Sequence, residues 1–506
     1  MNAASSPSPP PPGPAPTWQG HPRALAYLLF TETWERFSFY GMRALLVFYL
    51  TKAFLFSDQA AYAIYGSYTA LVYATPVLGG LLADRLLGYR KAVLIGGLLM
   101  ALGHFAMSVP NLQVFYGALS LLICGNGFFK PNISSLVGRL YGTDDPRRDS
   151  AFTIFYMGIN LGAFLAPIAC GYLGERLGWH WGFGLAGFGM LLGLLVFLRA
   201  QPLLLGLAEP PARPGARAAF AGVSFEKWVY VGTLLSLVVA WQLVQRGALV
   251  GSMLIVFGSA VFVGLCIYLV RLPREVARDR LGVALLLTLV SVVFWSFFEQ
   301  AGTSMSLFTD RNVNRSLFGA QLAASQFQAI NGLCILLMAP VFSVLWLYLS
   351  RRRLEPNTPL KFALGILQLG LGFAALYIGA ATSRATGVVP MFWLILCYFL
   401  HATGELCLSP IGLSMVTKLS PKGVTGIMMG TWFLAYSFAQ YAAALIAQFT
   451  GVKAGAVAAA GAVPKASETV MVYGAVFGTI AWVALGAGVL LALVSPLIAR
   501  RMHGVH

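Results

Sequence analysis

Apolar runs of about 20 residues or more recur along this chain, separated by short stretches rich in Arg, Gly, Pro and Asp. Each run is long enough to cross a bilayer as an α-helix, whereas barrel strands would be about 10 residues long and alternating. The pattern predicts fourteen spanning helices, at residues 22–54, 58–86, 92–109, 113–140, 150–175, 180–200, 226–245, 248–270, 281–308, 321–349, 359–380, 388–416, 422–450 and 469–499. An even number puts both termini on the same side. The Pro/Ala/Arg-rich stretch AEPPARPGARAAFAG parts the sixth segment from the seventh, and RLPREVARDR parts the eighth from the ninth, so the chain divides as six, two, six.

Composition agrees with this reading. Of the 506 residues 58% are hydrophobic and 10% charged, with a mean hydropathy of +0.76; a soluble domain carries about 25% charged residues. The chain is an all-α polytopic membrane protein. Its formal net charge of +17 would suggest nucleic acid in a soluble protein. Here most Lys and Arg fall in the loops on the side of the termini, which predicts cytoplasmic termini in an inner-membrane protein and makes a nucleic-acid role unlikely. The six cysteines lie in apolar runs with no CxxC pair, so no disulfide framework or metal knuckle is expected. No cofactor is expected either.

The expected organisation is a disordered cytoplasmic tail (1–21), a six-helix bundle (22–200), a cytoplasmic linker (201–225), an inserted transmembrane hairpin (226–272) and a second six-helix bundle (281–500). The tail lacks the basic and apolar regions of a signal peptide.

Seven ionisable residues interrupt the apolar runs: Glu32, Glu35, Arg36, Arg43, Lys130, Glu299 and Glu405. Each costs roughly 2.5 to 3.5 kcal/mol in hydrocarbon even on a lenient insertion scale, so a chain that keeps seven uses them. At 100° per residue Glu32, Glu35, Arg36, Tyr40 and Arg43 fall at about 0°, −60°, 40°, 80° and 20°, on one side of the first helix, which therefore cannot face lipid. Counting rise along each helix puts Arg43 and Glu299 at similar depth in the outer half. Lys130 and Glu405 fall between mid-depth and the cytoplasm. These two pairs are candidate gates, one external and one internal. Four acids face three bases, an excess of one negative charge, and a buried carboxylate without a partner takes up a proton. Glu32, Glu35 and Glu299 are the candidates for that proton. His104 and His401 are read as hydrogen-bonded core residues.

Two motifs carry resemblances. GLLADRLLGYRK, with Gly80, Asp84, Arg85, Gly88, Arg90 and Lys91, resembles the cytoplasmic loop signature of the major facilitator superfamily, with Asp84 able to cap a helix N-terminus. ETWERFSFYGMRALLVFYL, from Glu32 to Leu50, closely resembles the ExxERFxYYG signature of the proton-dependent oligopeptide transporter family. The similarity continues in GNGFFKPNISSLVG, FTIFYMGINLGAFLAP, SFFEQ, QAINGLCILLMAPVF, GELCLSPIGLSM and MMGTWFLAYSFAQ, so it covers nearly the whole chain.

The resemblance implies a major facilitator fold of twelve core helices plus the hairpin. It implies proton-driven uptake of di- and tripeptides by alternating access, by a functional monomer in the lipid bilayer. It would place Arg36 and Lys130 on the peptide carboxylate, and Glu405, Asn160 and Asn331 on its ammonium. Tyr40, Tyr68, Trp295 and Trp432 would line the cavity; Glu32, Glu35 and Arg36 would couple the proton, with Glu299 among the acids. Phe39 departs from the signature, which has tyrosine there. The rival reading is a transporter of the same fold for nitrate, an amino acid or a drug. An enzyme is not expected, since no HExxH, GxSxG or metal-spaced His/Cys group occurs.

Overall fold

The structure, a computed structural model, describes residues 17–142, 144–204, 206–209, 219–220, 223–273, 275–421, 423–451 and 465–505. Most of the expected tail and part of the expected linker lie outside the described residues. Fifteen helices are described: α1 (Arg23–Phe48), α2 (Asp58–Leu82), α3 (Gly88–Met107), α4 (Leu112–Arg139), α5 (Arg147–Tyr172), α6 (Trp179–Ala200), α7 (Phe225–Val244), α8 (Gly247–Arg271), α9 (Glu275–Phe298), the short α10 (Ser304–Asn312), α11 (Ala329–Arg351), α12 (Thr358–Thr382), α13 (Met391–Leu419), α14 (Thr425–Gln448) and α15 (Ala466–Arg500). Apart from α10, each coincides with one of the fourteen predicted spans.

Within the first six helices α1 packs on α5 and α6, and α3 on α4 and α6. Within the last set α12 packs on α13 and α15, and α9 on α13 and α14. The two sets meet where α2 runs along α14 and where α5 crosses α11. The pair α7 and α8 lies outside, against α4 and α14.

Small residues set these approaches, as expected where lipid supplies no hydrophobic drive for helices to associate. A Cβ on Gly79 of α2 would stand 1.9 Å from the carbonyl oxygen of Gly127 on α4. On Gly332 of α11 it would stand 2.9 Å from the amide nitrogen of Phe164 and 3.1 Å from the carbonyl oxygen of Asn160, both on α5. Backbones cross nearly in contact at both points.

At the end away from the termini, polar bonds join the first six helices to the last. Arg311 holds Asp58 through both guanidinium nitrogens at 2.6 and 2.8 Å, and Lys52 reaches Asp310 at 2.8 Å. Glu175 accepts from the amide of Ser325 at 2.8 Å. At the terminal end the corresponding contacts do not join the first six helices to the last: Lys91 of α3 reaches Glu226 of α7 at 2.6 Å, Lys361 holds Glu355 at 2.5 Å, and Arg280 donates to the carbonyl of His503 at 3.0 Å. Among the described residues α4 and α13 share no interface like that of α2 and α14. The bundle is thus clasped at one end and less so at the other.

Two local expectations are corrected. The predicted span 281–308 is interrupted, because the chain turns at Glu299–Gly302 and Thr303 takes φ −127° and ψ −98° before α10 begins. Tyr65 forces the turn's composition: its hydroxyl would lie 1.9 Å from any Cβ on Gly302. Asp84 caps no helix; its carboxylate accepts from the Tyr89 hydroxyl, while Gly88 takes the left-handed φ of 73° that begins α3.

Because Gly79 meets backbone rather than a movable side chain, Gly79→Val should destabilise the folded protein by about 2 kcal/mol or more. Gly117→Ala, on α4 with no atom within 4 Å of the added Cβ, should leave stability unchanged. Thermal unfolding of the two purified variants measures the contrast, and equal midpoints would refute the assignment of the crossing.

Candidate functional site

The face of α1 that carries the charges turns into the protein: Glu32 and Glu35 are fully buried, and Arg36 and Arg43 nearly so. Successive turns of one helix supply them, spaced to reach one another and their partners on α4 and in the turn after α9. Glu35 takes Arg36 in a two-pronged pair, with Nε and Nη2 both at 2.5 Å from its oxygens. Arg36 Nε also stands 3.6 Å from Glu32 Oε1. That same oxygen accepts from Lys130 of α4. The four groups form a chain, Lys130 to Glu32 to Arg36 to Glu35, whose formal charges sum to zero.

About two turns further along, Arg43 Nη2 donates to Glu299, and its Nε donates to the Tyr65 hydroxyl at 2.7 Å. The other oxygen of Glu299 accepts from Tyr436 at 2.8 Å. This second cluster is neutral as well, and it joins α1, α2, α14 and the turn after α9.

Six of the seven charges are accounted for in this way. The seventh, Glu405 on α13, has no cation. One oxygen accepts from the Tyr156 hydroxyl at 3.3 Å, and the other has no hydrogen-bond partner, nor does the Asn331 side-chain oxygen nearby. Both line a cavity of about 100 Å³, walled also by Tyr40, Arg43, Asn160, Trp295, Glu299 and Tyr436. An uncompensated carboxylate there has two remedies, a proton or an ammonium group.

Five sequence-derived binding candidates therefore share one cavity: Tyr40, Asn160, Trp295, Asn331 and Glu405. Arg36 lies behind that wall, its guanidinium carbon 4.8 Å from the Phe39 ring centre and 6.0 Å from that of Tyr40. The departing Phe39 thus covers the arginine with an aromatic face. Lys130 stays partly exposed, at 27%. Tyr68 and Trp432 are buried and do not line the cavity; Trp432 instead packs on Gly412, where a Cβ would stand 2.4 Å from its ring.

Of the two pairs inferred from depth, the structure brings Arg43 and Glu299 together. It does not bring Lys130 to Glu405. With α4 and α13 parted, the nearest counter-charge for Lys130 is Glu32 on its neighbour α1. His401 rests its Nε2 3.4 Å from Cys397 Sγ, whereas His104 is buried with neither ring nitrogen bonded, unlike the hydrogen-bonded histidine expected.

Tyr436, Tyr156 and Tyr65 were not singled out from the sequence. A signal existed for two of them. Tyr436 follows Trp432 by four residues and Tyr156 precedes Asn160 by four, the spacing that shares a helix face.

Helices clasped at one end around a charged, partly unsatisfied central cavity define a membrane transporter of the major facilitator type. The chain belongs to the POT family, whose model matches residues 90–465. It is 38% identical over 497 residues to the uncharacterized transporter YclF of Bacillus subtilis (strain 168), covering 96% of each chain. It is 38% identical to the peptide transporter YePEPT of Yersinia enterocolitica subsp. palearctica serotype O:3 (strain YE-P4), covering 85% of this chain and 88% of that one. A crystal structure of a peptide transporter POT in complex with sulfate is similar with a TM-score of 0.81 at 37% identity, covering 97% of this chain and 98% of that one. A POT family transporter in complex with 5-aminolevulinic acid is similar with a TM-score of 0.80 at 31% identity, covering 95% and 98%.

The pairing makes a stability prediction. Lys130→Met alone leaves Glu32 without its nearest cation and should cost about 3 kcal/mol, while adding Glu32→Gln should recover most of it. Adding Glu405→Gln instead should recover nothing. Unfolding midpoints of the single and double variants test this, and recovery by Glu405→Gln would reassign the partner of Lys130.

Proposed function

We propose that this protein is a proton-coupled symporter that imports di- and tripeptides across the inner membrane by alternating access, with both termini in the cytoplasm. The observation that carries the reading is the unmatched Glu405 carboxylate in the cavity, on a different helix from the cations Arg36 and Lys130. A zwitterion brings what each wall lacks. Its ammonium would sit on Glu405 between Asn160 and Asn331, and its carboxylate would turn toward Arg36 and Lys130. Charges separated by a backbone of about 3.3 to 3.6 Å per residue suit a short peptide better than a single amino acid. The aromatic lining of Tyr40, Trp295 and Tyr436 leaves side chains loosely specified. The names of the similar transporters support the same cargo.

Coupling follows from competition. A peptide carboxylate that draws Lys130 or Arg36 leaves Glu32 or Glu35 buried without its cation, and the relieved state is the protonated one. Conversely, protonating Glu299 removes the partner of Arg43 and loosens the clasped end. The conformation described, with Arg43 and Glu299 joined and Lys130 away from Glu405, is then the one open toward the cytoplasm. One proton carried with a neutral zwitterion moves one charge, worth about 2.3 kcal/mol per 100 mV. That supports nearly two decades of accumulation.

Labelled dialanine should enter proteoliposomes several-fold faster under an inward proton gradient, and unlabelled trialanine should compete. Absence of gradient-stimulated uptake would overturn the coupling. Glu405→Gln should weaken binding of free-amine peptides by about tenfold or more while sparing N-blocked ones, since a charge-assisted bond is lost only where an ammonium is present; equal loss would make Glu405 a latch alone. Glu32→Gln should retain peptide exchange at equal concentrations and lose accumulation, measured as counterflow against net uptake.

A further inference from the structure

Away from the central cavity, α8, α9 and α15 flank an open crevice of about 640 Å³ at the terminal end. Its floor and sides are apolar, built from Leu269 of α8, Val283 and Leu286 of α9, and Leu497 and Ile498 of α15. Its rim carries three guanidinium groups, Arg278, Arg500 and Arg501. All three arginines are exposed, and among the described residues none has an ion-pair partner. The rim's one acid, Asp279, is already held by His503 at 3.0 Å. Arg280 does not join the rim; it fixes the C-terminal turn by donating to the carbonyls of Met502 and His503. The fold therefore anchors the segment with one arginine and leaves three aimed at whatever enters.

We propose that this crevice is a binding site for an anionic phospholipid, with its phosphate on Arg278, Arg500 and Arg501 and an acyl chain along Leu269, Leu286 and Leu497. Several features select that occupant. The arginines stand at helix ends, where the membrane interface lies, and basic pockets between spanning helices at that level suit acidic headgroups. Leu286 and Leu497 are 39% and 62% exposed, so the apolar part opens toward lipid rather than water. A free inorganic anion would leave that surface unused. A second copy of the chain is poorly matched, since 34 basic residues face only 17 acidic ones in the whole sequence.

The lipid would also bridge parts of the fold that touch little. Leu269 belongs to the α7–α8 pair, and it meets α9 near Gly282, where an added Cβ would lie 3.9 Å from Leu269 Cδ1. A chain lodged below that contact joins the pair to α9 and α15.

Native mass spectrometry of the full-length protein, titrated with phosphatidylglycerol or with phosphatidylcholine of the same acyl chains, tests the site. The expected result is one tightly retained phosphatidylglycerol, preferred by about tenfold or more. Removing the rim charges (R278Q, R500Q, R501Q) should weaken it by about fivefold per arginine. Leu286→Trp, which fills the crevice and keeps every charge, should abolish retention of the single lipid. Substituting Arg351, Arg352 and Arg353 by Gln should change nothing, and millimolar inorganic phosphate should not displace the lipid. Equal retention of both lipids, an unaltered preference in the rim or Leu286→Trp variants, an equal loss on substituting Arg351, Arg352 and Arg353, or displacement by phosphate would each overturn the proposal.

Discussion

Ionised groups held in a low-dielectric interior must be neutralised within hydrogen-bond reach, and the arrangement of this protein follows from meeting that condition for all but one of them. Glu32 is the pivot. A single one of its oxygens is shared between Lys130 and Arg36, so helices α1 and α4 are bound through a charge that neither can abandon cheaply. Arg36 also holds Glu35 with both prongs, and the four-member chain ends there with its charges balanced. Because Arg43 and Glu299 satisfy each other with help from Tyr65 and Tyr436, the surplus acid is Glu405. The imbalance legible as four acids against three bases thereby acquires an address.

Close backbone packing makes such shared pairs possible. Where Gly332 lets α11 ride on α5, Asn331 comes to the same wall as Asn160, and Tyr156 on that helix reaches Glu405. The polar clasp of Arg311 on Asp58 and of Lys52 on Asp310 holds the end remote from the termini, while α4 and α13 stay apart. The two ends of the boundary between the same six-helix sets thus differ in state. A transport cycle needs this asymmetry, since both ends must not be open together.

The extent to which the site was legible varied with the range of the interaction. Residues on one helix face were readable from spacing: the side of α1 that holds Glu32, Glu35, Arg36 and Arg43 is buried as the 3.6-residue period requires. The depth of Arg43 and Glu299 was readable from rise per residue, and the two meet. Depth alone did not single out a partner for Lys130, because several acids lie at comparable levels, and in this conformation lateral neighbourhood chooses Glu32. The break after Phe298 was hidden for a similar reason. Nothing in SFFEQAGT forbids a continuous helix, and the Tyr65 hydroxyl that excludes a side chain at Gly302 arrives from α2.

By itself the sequence determined the number and approximate placement of the long helices, the charges they would carry inward and their net sign, because hydropathy and helical period are properties of contiguous residues. It also determined the family, through motifs spread over the whole chain. Which acid was left without a base, which tyrosines completed the clusters, and which end of the bundle was clasped were decided only by tertiary structure. Those outcomes depend on distances between helices far apart in the chain, and a short-range carboxylate pairs with whichever cation the packing brings within about 3 Å.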